Sequence, residues 1–229
     1  MRPYPLIVDI EKRPVFVIGG GRVALRKVTG LLESGAEVLV IAPNLEEELE
    51  ELANDGRIQW IPEPFDESLL DARPEAALVF GATDKRDVNL KIHAAAVKRR
   101  IPCNIADVPE LCTFIVPAVV SRGDLVISIS TGGSSPALAR RIREELEDQY
   151  GPEYAEMTRI MAELRKQVLS AGTSSDENKR LFMRIVDSDL LSALEANDRE
   201  SALEILTEIL PNRIDAEKVM KTAKTEMDG

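Results

Sequence analysis

A short glycine-rich segment near the N-terminus has the residue types and spacing of a dinucleotide-binding turn. The run Gly19-Gly20-Gly21-Arg22-Val23-Ala24 fits the pattern Gly-x-Gly-x-x-Gly/Ala, with alanine in the third position. The first glycine of such a turn allows a tight reversal, the second lets the backbone approach a pyrophosphate, and the small third residue lets helix and strand pack closely. The N-terminus of the following helix then presents N–H groups to the phosphates. The motif therefore predicts dinucleotide binding.

The acid that usually recognises the cofactor ribose is missing from this pattern. A dinucleotide site normally has Asp or Glu at the end of its second strand. Here the corresponding residues are Ala42-Pro43-Asn44, and the first acid follows at Glu46. The ribose must then be held by the backbone or by Asn44, so this position does not decide between NAD and NADP. Arg22 and Arg26 have three open interpretations: contact with a 2′-phosphate, contact with a polyanionic substrate, or exposure to solvent.

One carboxylate, Asp107, has a position suited to catalysis. It follows a predicted strand over residues 101–105, at the edge where doubly wound sheets bind their ligands. Removing a hydride from a carbon framework usually requires the loss of a proton, and a carboxylate near the hydride acceptor can take it. The alternative is an aspartate that begins a turn before Pro109. The one histidine, His93, falls within a predicted helix, and we interpret it as a helix-surface residue.

A second glycine-rich segment, residues 131–136, opens another predicted helix. Ser135 is the expected N-cap, and the proline after it occupies the first helical position. Residues 98–143 contain seven basic residues against three acids, whereas residues 46–75 contain eleven acids and two arginines. Two interpretations of the basic run stay open. It forms either a solvated helix face with ion pairs such as Arg140–Glu144, or a binding site for a ligand with several carboxylates.

Composition narrows the remaining classes of function. The chain has 229 residues and a net charge of −11, which argues against nucleic-acid binding. A single histidine excludes a His-rich metal site, and we predict no bound metal. Two cysteines, Cys103 and Cys112, cannot form a disulfide framework. No stretch approaches the roughly 20 apolar residues that span a bilayer, and charge comes too early for a signal peptide. We therefore expect a cytoplasmic protein without a membrane partner.

The hydrophobic pattern predicts an α/β fold with a doubly wound parallel sheet. Apolar runs that alternate with helical patterns indicate strands buried on both faces. The expected strands cover residues 15–18, 37–41, 58–61, 76–81 and 101–105. We expect Thr83 or Asp84 to cap the helix that follows the fourth strand.

Beyond residue 112 the pattern changes. Apolar runs at 114–120 and 125–130 flank the turn 121–124 and predict a hairpin. A lone hairpin is marginal in water, so it either extends the parent sheet or pairs with a second subunit; the second is favoured. From residue 152 onward only helical signals remain. The predicted parts are therefore a nucleotide-binding domain (1–112), a hairpin-plus-helix segment (113–150) and an all-helical C-terminal part (151–229).

Several segments, taken in order, resemble the precorrin-2 dehydrogenase/sirohydrochlorin ferrochelatase family, which also forms the N-terminal half of siroheme synthase. The resemblance is close over residues 3–150, and it covers the helical remainder only in length and character. The motifs that carry it are Pro5-Leu6 and residues 17–27, 82–89, 103–107, 114–118 and 130–139.

The resemblance implies a Rossmann-type domain and a role for individual residues. It implies that NAD is bound by Gly19, Gly21, Arg22, Val23, Pro43 and Asn44. Asp107 corresponds to the family's catalytic aspartate, and residues 114–130 correspond to a hairpin that forms a homodimer. The substrate site would comprise Ser130, Thr131, Gly132, Gly133, Ser134 and Arg140. Some members have two serines at the first two of these positions, so Thr131 is a departure.

The implied reaction transfers a hydride from precorrin-2, a tetrapyrrole with many carboxylates, to NAD and releases a proton. The product is sirohydrochlorin, and such a substrate would explain the basic run. In bifunctional members Fe²⁺ insertion follows, with the iron as a substrate ion, and the sequence neither supports nor excludes this activity. The alternative from another class is a non-catalytic NAD-sensing module whose helical part moves when NAD binds. Such sensors usually keep the ribose acid that this chain lacks.

Overall fold

A five-stranded parallel sheet forms the centre of the first of two units, Met1–Val116 and Pro117–Gly229. The computed structural model describes residues 4–170, 174–211 and 214–225. The sheet order is β3-β2-β1-β4-β5, so the chain starts in the middle and winds outward in both directions. The predicted doubly wound α/β fold is therefore confirmed. Its strands are β1 (Pro14–Ile18), β2 (Glu37–Ile41), β3 (Gln59–Ile61), β4 (Leu78–Gly81) and β5 (Cys103–Ile105).

Helices cover both faces of this sheet. The helices of the first unit are α1 (Arg22–Glu33), α2 (Glu47–Asn54) and α3 (Arg86–Lys98). Every residue of β1 is buried, with alternate side chains in two separate hydrophobic clusters. Val15 and Val17 pack with residues of α1 and α2, whereas Phe16 and Ile18 pack with residues of α3. Burial on both faces explains why the strands are apolar throughout.

The loop between β4 and α3 differs from the sequence prediction. The helix begins at Arg86 with Lys85 as its N-cap, so the prediction that Thr83 or Asp84 caps it is wrong. The Thr83 hydroxyl instead donates to Oδ1 of Asn89 at 2.8 Å, and the Asn89 amide donates to the Thr83 carbonyl at 3.0 Å. Asn89 is 4% exposed, so its polar groups need these partners. The pair fixes the loop that follows β4.

The second unit begins with the predicted hairpin. Strands β6 (Ala118–Arg122) and β7 (Leu125–Ile129) pair antiparallel and form a sheet of their own, so the hairpin does not extend the parent sheet. The turn has two residues rather than the predicted four. Helices α4 (Pro136–Gln149) and α5 (Glu153–Ser170) pack against the hairpin. Val120 of β6 is buried on the face of the hairpin that these helices cover. Val119 and Val126 point the other way and are exposed.

Further helices complete the second unit, as the sequence predicts. They are α6 (Ser175–Val186), α7 (Leu190–Glu195), α8 (Arg199–Ile209) and α9 (Ala216–Thr225). Their common core includes the fully buried Leu164, Leu190 and Leu206. In the parts of the chain that the structure describes, no helix is both long and apolar enough to cross a membrane. The boundaries expected at residues 112 and 150 stay predictions.

Candidate functional site

The glycine-rich turn after β1 is pressed between two neighbouring loops. Gly19 has a φ of +129°, and a Cβ on it would lie 2.3 Å from the carbonyl oxygen of Ala82. A Cβ on Gly20 would lie 2.0 Å from the carbonyl oxygen of Asn44. Neither position accepts a side chain, so both require glycine. The N–H of Ala82 donates to the Ile18 carbonyl at 2.7 Å and holds this arrangement together.

Gly21 has open space around it. A Cβ there would meet nothing within 4 Å among the described residues. This glycine is the N-cap of α1 and has no side chain to cap it, so the first N–H groups of the helix are open to a ligand. Arg22 is exposed and Val23 half-buried in the first turn. The predicted residues from Gly19 to Val23 thus form one continuous segment that offers donors to a phosphate.

The loop after β2 brings Pro43 and Asn44 to this turn. Both residues are exposed, and the Asn44 carbonyl is the atom that a side chain on Gly20 would strike. Trp60 on β3 supports the base of the loop, because its indole N–H donates to the Ala42 carbonyl at 2.9 Å. The structure therefore groups the predicted cofactor-binding residues of the first unit, although the contact of each with the cofactor stays a prediction.

Glu46 reaches the same turn, although its sequence position predicts no role for it. Its N–H donates to the Gly20 carbonyl at 2.8 Å. Its carboxylate accepts a hydrogen bond from Nε of Arg22 at 3.2 Å. The only signal in the sequence is its place as the first acid beyond β2.

Asp107 lies in a left-handed conformation immediately beyond β5. Its φ is +61°, which is uncommon for a residue other than glycine, although Asp and Asn adopt it more readily than most. The preceding N–H, of Ala106, donates to the Gly81 carbonyl at the end of β4 at 2.8 Å. Asp107 follows β5 at the carboxyl edge of the sheet, where the sequence analysis expects it, and its side chain is exposed. Its catalytic role stays a prediction.

Lys27 contributes a charge that sequence reasoning missed. Its ammonium lies 5.5 Å from the centroid of the Phe80 ring, within cation–π range. Burial lowers the pKa of Lys27 and the charge of Arg26 lowers it further, whereas Cys112 and Asp107 act in the opposite direction. Lys27 therefore belongs to the electrostatic surroundings of Asp107. In the sequence, only its position on α1, shortly after the glycine turn, could have pointed to a role for Lys27.

His93 and Cys103 have structural roles. His93 lies in α3 as predicted, but it is half-buried, and its Nδ1 is 2.9 Å from the Leu111 carbonyl. The surface interpretation is therefore wrong, because α3 packs against the loop that follows β5. Nδ1 also lies 3.6 Å from Sγ of Cys103. Burial raises the pKa of the Cys103 thiol, which disfavours the thiolate that a nucleophile needs. Both cysteines are free thiols.

The second glycine-rich segment is held by its own hydroxyl groups. The Thr131 hydroxyl accepts a hydrogen bond from the Ser135 N–H at 3.0 Å and donates to the Ser135 carbonyl at 3.1 Å. Ser130 Oγ accepts from the Gly132 N–H at 3.1 Å. Gly132 and Gly133 both have positive φ, and Ser134 is exposed beside them. Threonine therefore has a structural function at position 131, whereas a substrate contact there stays a prediction.

The arginines of α4 form ion pairs along the helix. Arg140 pairs with Glu144 at 2.8 Å and Arg141 with Glu145 at 2.7 Å, as the first interpretation of this face expects. The Arg122 guanidinium donates to the carbonyls of Glu147 and Tyr150, near the end of α4. The exposed Arg140–Glu144 and Arg141–Glu145 ion pairs are weak, so each arginine can readily exchange its glutamate for another anion. The described segments contain no group of three or more His, Cys, Asp or Glu side chains placed to hold a metal ion.

Family models and relatives of known name match most of this chain. A family model described as NAD(P)-binding matches residues 6–118, and one described as sirohaem biosynthesis protein central matches residues 122–149. The predicted dinucleotide cofactor is thereby confirmed. A siroheme synthase of Methylobacillus flagellatus is 34% identical over 211 residues, covering 90% of this chain and 44% of the relative. Siroheme synthase 3 of Aeromonas hydrophila is 37% identical over 199 residues, or 86% and 42% of the two chains.

These curated relatives are much longer than this protein, which spans less than half of their length. A solved structure of similar length also matches. It is SirC, a precorrin-2 dehydrogenase, with a TM-score of 0.72 and 27% sequence identity, covering 90% of this chain and 98% of that chain.

Alanine substitutions at two adjacent glycines should separate folding from binding. Gly20→Ala places a methyl group against the Asn44 carbonyl, so we expect a loss of about 1–3 kcal/mol in the free energy of unfolding. Gly21→Ala meets no atom of the described residues within 4 Å, so stability should fall by about 1 kcal/mol at most, the cost of alanine at a helix N-cap. Its methyl group nevertheless occupies the space through which a pyrophosphate approaches, so NAD affinity should fall. Calorimetric NAD titration and thermal melts of both variants measure this; a Gly21→Ala variant that binds NAD normally contradicts the assignment.

Proposed function

Because this chain belongs to the precorrin-2 dehydrogenase family, which also forms the N-terminal part of siroheme synthases, we propose that it oxidises precorrin-2 to sirohydrochlorin with NAD. The observation that carries the proposal is the position of Asp107. It leaves β5 at the same carboxyl edge of the sheet as the glycine turn, which leaves β1. A proton acceptor and a phosphate-binding turn at one edge are the parts that a hydride-transferring enzyme needs. The similarity to a precorrin-2 dehydrogenase structure supports the same reaction.

The residues of the first unit fit a bound dinucleotide. The open N–H groups at the start of α1 would hold its phosphates, and the uncrowded Gly21 leaves room for their approach. Bound NAD supplies the hydride acceptor. Asp107 then takes the proton that the substrate loses, so one hydride and one proton leave precorrin-2 in each oxidation.

The second unit supplies the donors proposed for the substrate. Ser130, Ser134 and the Gly133 N–H lie on the loop that precedes α4, and Arg140 follows on the helix. Because the Arg140–Glu144 pair is exposed, a substrate carboxylate can replace Glu144 at little cost. We propose that this loop and Arg140 bind carboxylates of the tetrapyrrole.

The exposed face of the hairpin supports a homodimer. Val119 and Val126 lie on the face away from α4 and α5 and are 39% and 45% exposed. Ser121 and Ser128 share this face with the two valines, and apolar side chains exposed on a two-stranded sheet gain stability when they are covered. We propose that a second copy of the chain covers this face, and that the protein works in the cytoplasm.

The direct test is turnover of the proposed substrate. We expect the purified protein, incubated with precorrin-2 and NAD, to produce NADH and sirohydrochlorin in equal amounts, followed by absorbance. Absence of both products contradicts the proposal. Adding Fe²⁺ to the same sample and comparing the rate with spontaneous insertion tests the second activity of the family.

Asp107→Asn should abolish turnover without disturbing the cofactor site. Asparagine adopts the left-handed conformation at least as readily as aspartate, so the fold is kept while the proton acceptor is lost. We expect kcat to fall about 10²–10⁴-fold with an unchanged Kd for NAD. Glu110→Gln, an exposed neutralisation in the next turn, is the matched control and should keep full activity. Comparable kcat values for the Asp107 variant and the wild type contradict the assigned role.

Analytical ultracentrifugation tests the homodimer. The wild type should sediment at twice the chain mass of 25.3 kDa. Val126→Glu places a charge on the bare face of the hairpin and should shift the protein to the monomer. Leu169→Glu changes an apolar side chain that is 65% exposed on α5 and should leave the dimer intact. A monomeric wild type, or a dimeric Val126 variant, overturns this arrangement.

A further inference from the structure

One carboxylate beside the glycine turn has an oxygen without a hydrogen-bond partner. Glu46 uses Oε1 for its ion pair with Arg22, whereas its Oε2 is buried and has no partner among the described residues. A buried acceptor without a donor is unfavourable and rare in folded proteins. Glu46 is the N-cap of α2, yet its side chain makes no capping hydrogen bond. The carboxylate therefore has no structural task in its own helix.

The position of Glu46 connects it with the cofactor. Its N–H donates to the Gly20 carbonyl at 2.8 Å, so the residue is tied to the middle of the phosphate-binding turn. The usual ribose acid stands at the end of the second strand. Here β2 ends at Ile41, and the loop that follows carries no acid before it returns to the turn at Glu46. A carboxylate thus reaches this region from five residues further along the chain.

We propose that Glu46 takes the place of the missing strand-end acid and accepts hydrogen bonds from the adenosine ribose hydroxyls of NAD. The assignment rests on the proposed use of NAD by this protein. A carboxylate that accepts from the 2′- and 3′-hydroxyls binds NAD and repels the 2′-phosphate of NADP. Glu46 is thereby the residue that sets the preference between the two cofactors, which the sequence left open.

Arg22 is the partner that exchanges when the cofactor binds. It occupies the first position of α1, and its side chain is 92% exposed, so its pair with Glu46 is weak. A cofactor phosphate at the start of α1 offers the guanidinium a partner of stronger charge. Arg22 then turns to the phosphate, and the carboxylate of Glu46 is released for the ribose.

Direct binding measurements test this assignment. Calorimetric titrations with NAD and with NADP would be made on the wild type, Glu46→Gln and Glu47→Gln, with quenching of the single tryptophan, Trp60, as a second readout. Glu46→Gln removes the charge at constant size, so the NAD Kd should rise about tenfold or more. Loss of the repulsion should also lower the ratio of the NADP Kd to the NAD Kd by about tenfold. Glu47→Gln neutralises the exposed neighbouring acid and should leave both constants unchanged.

A conservative variant distinguishes the effect of the negative charge of Glu46 from the effect of its side-chain length. Glu46→Asp keeps the negative charge on a shorter side chain, so it should continue to reject NADP while it binds NAD more weakly. Thermal melts without cofactor check that each variant folds, and the aspartate variant serves if the glutamine variant does not.

The outcomes distinguish this inference from the proposed function. A wild type that binds NAD, with a Glu46→Gln variant that binds both cofactors as before or loses both equally, overturns the ribose assignment alone. A wild type that prefers NADP overturns the ribose assignment and also the choice of NAD in the proposed function, but not the proposed oxidation of precorrin-2. A wild type that binds neither dinucleotide overturns the proposed function together with the inference.

Discussion

The close approach of three main-chain segments at the glycine turn is the constraint on which the first unit depends. Gly19 and Gly20 lie against the carbonyl oxygens of Ala82 and Asn44, which leaves no room for a single methyl group. The ends of β1, β2 and β4 are thereby fixed side by side at the carboxyl edge of the sheet. The buried Asn89 extends this effect, because it ties the loop after β4 to α3.

The two glycine-rich segments differ in how many N–H groups they leave free at the start of the helix that follows. Both open a helix and both offer N–H groups to an anion. At α1 the N-cap is Gly21, which has no side chain, so the N–H groups remain available. At α4 Ser135 accepts a hydrogen bond from the Leu138 N–H, and part of the helix end is already satisfied. The first segment is therefore built to bind a phosphate through its main chain, whereas the second would bind carboxylates mainly through its side chains and loop.

Most of the fold can be predicted from local patterns in the sequence. Short apolar runs between helical patterns gave the five strands, and the glycine spacing placed the turn, because both signals come from neighbours in the sequence. The hairpin could be predicted for the same reason. Thr83 was wrongly expected to cap α3, because the helix begins only at Arg86 and the Thr83 hydroxyl instead donates to Asn89, a contact that arises only when the loop packs.

Contacts between distant parts of the chain explain what the sequence could not predict. His93 is half-buried because a loop 18 residues later covers it. Glu46 and Arg22 are 24 residues apart in the chain and meet only because the loop after β2 folds back. Lys27 could be recognised only once Phe80 and Asp107 were placed around it. Such residues change the charge and hydrogen bonding around a site whose main motif lies elsewhere in the sequence, so their roles can be recognised only from the three-dimensional structure.

We expect the dinucleotide to bind at the glycine turn that follows β1, residues 19–21. Hydrogen–deuterium exchange with and without NAD tests this directly, because bound phosphates take up the open N–H groups and slow their exchange. We expect NAD to slow exchange in peptides that cover residues 19–25 and 42–46, and to leave helix α6 unchanged. Slowing confined to other segments, with neither of these two affected, would contradict dinucleotide binding at the glycine turn.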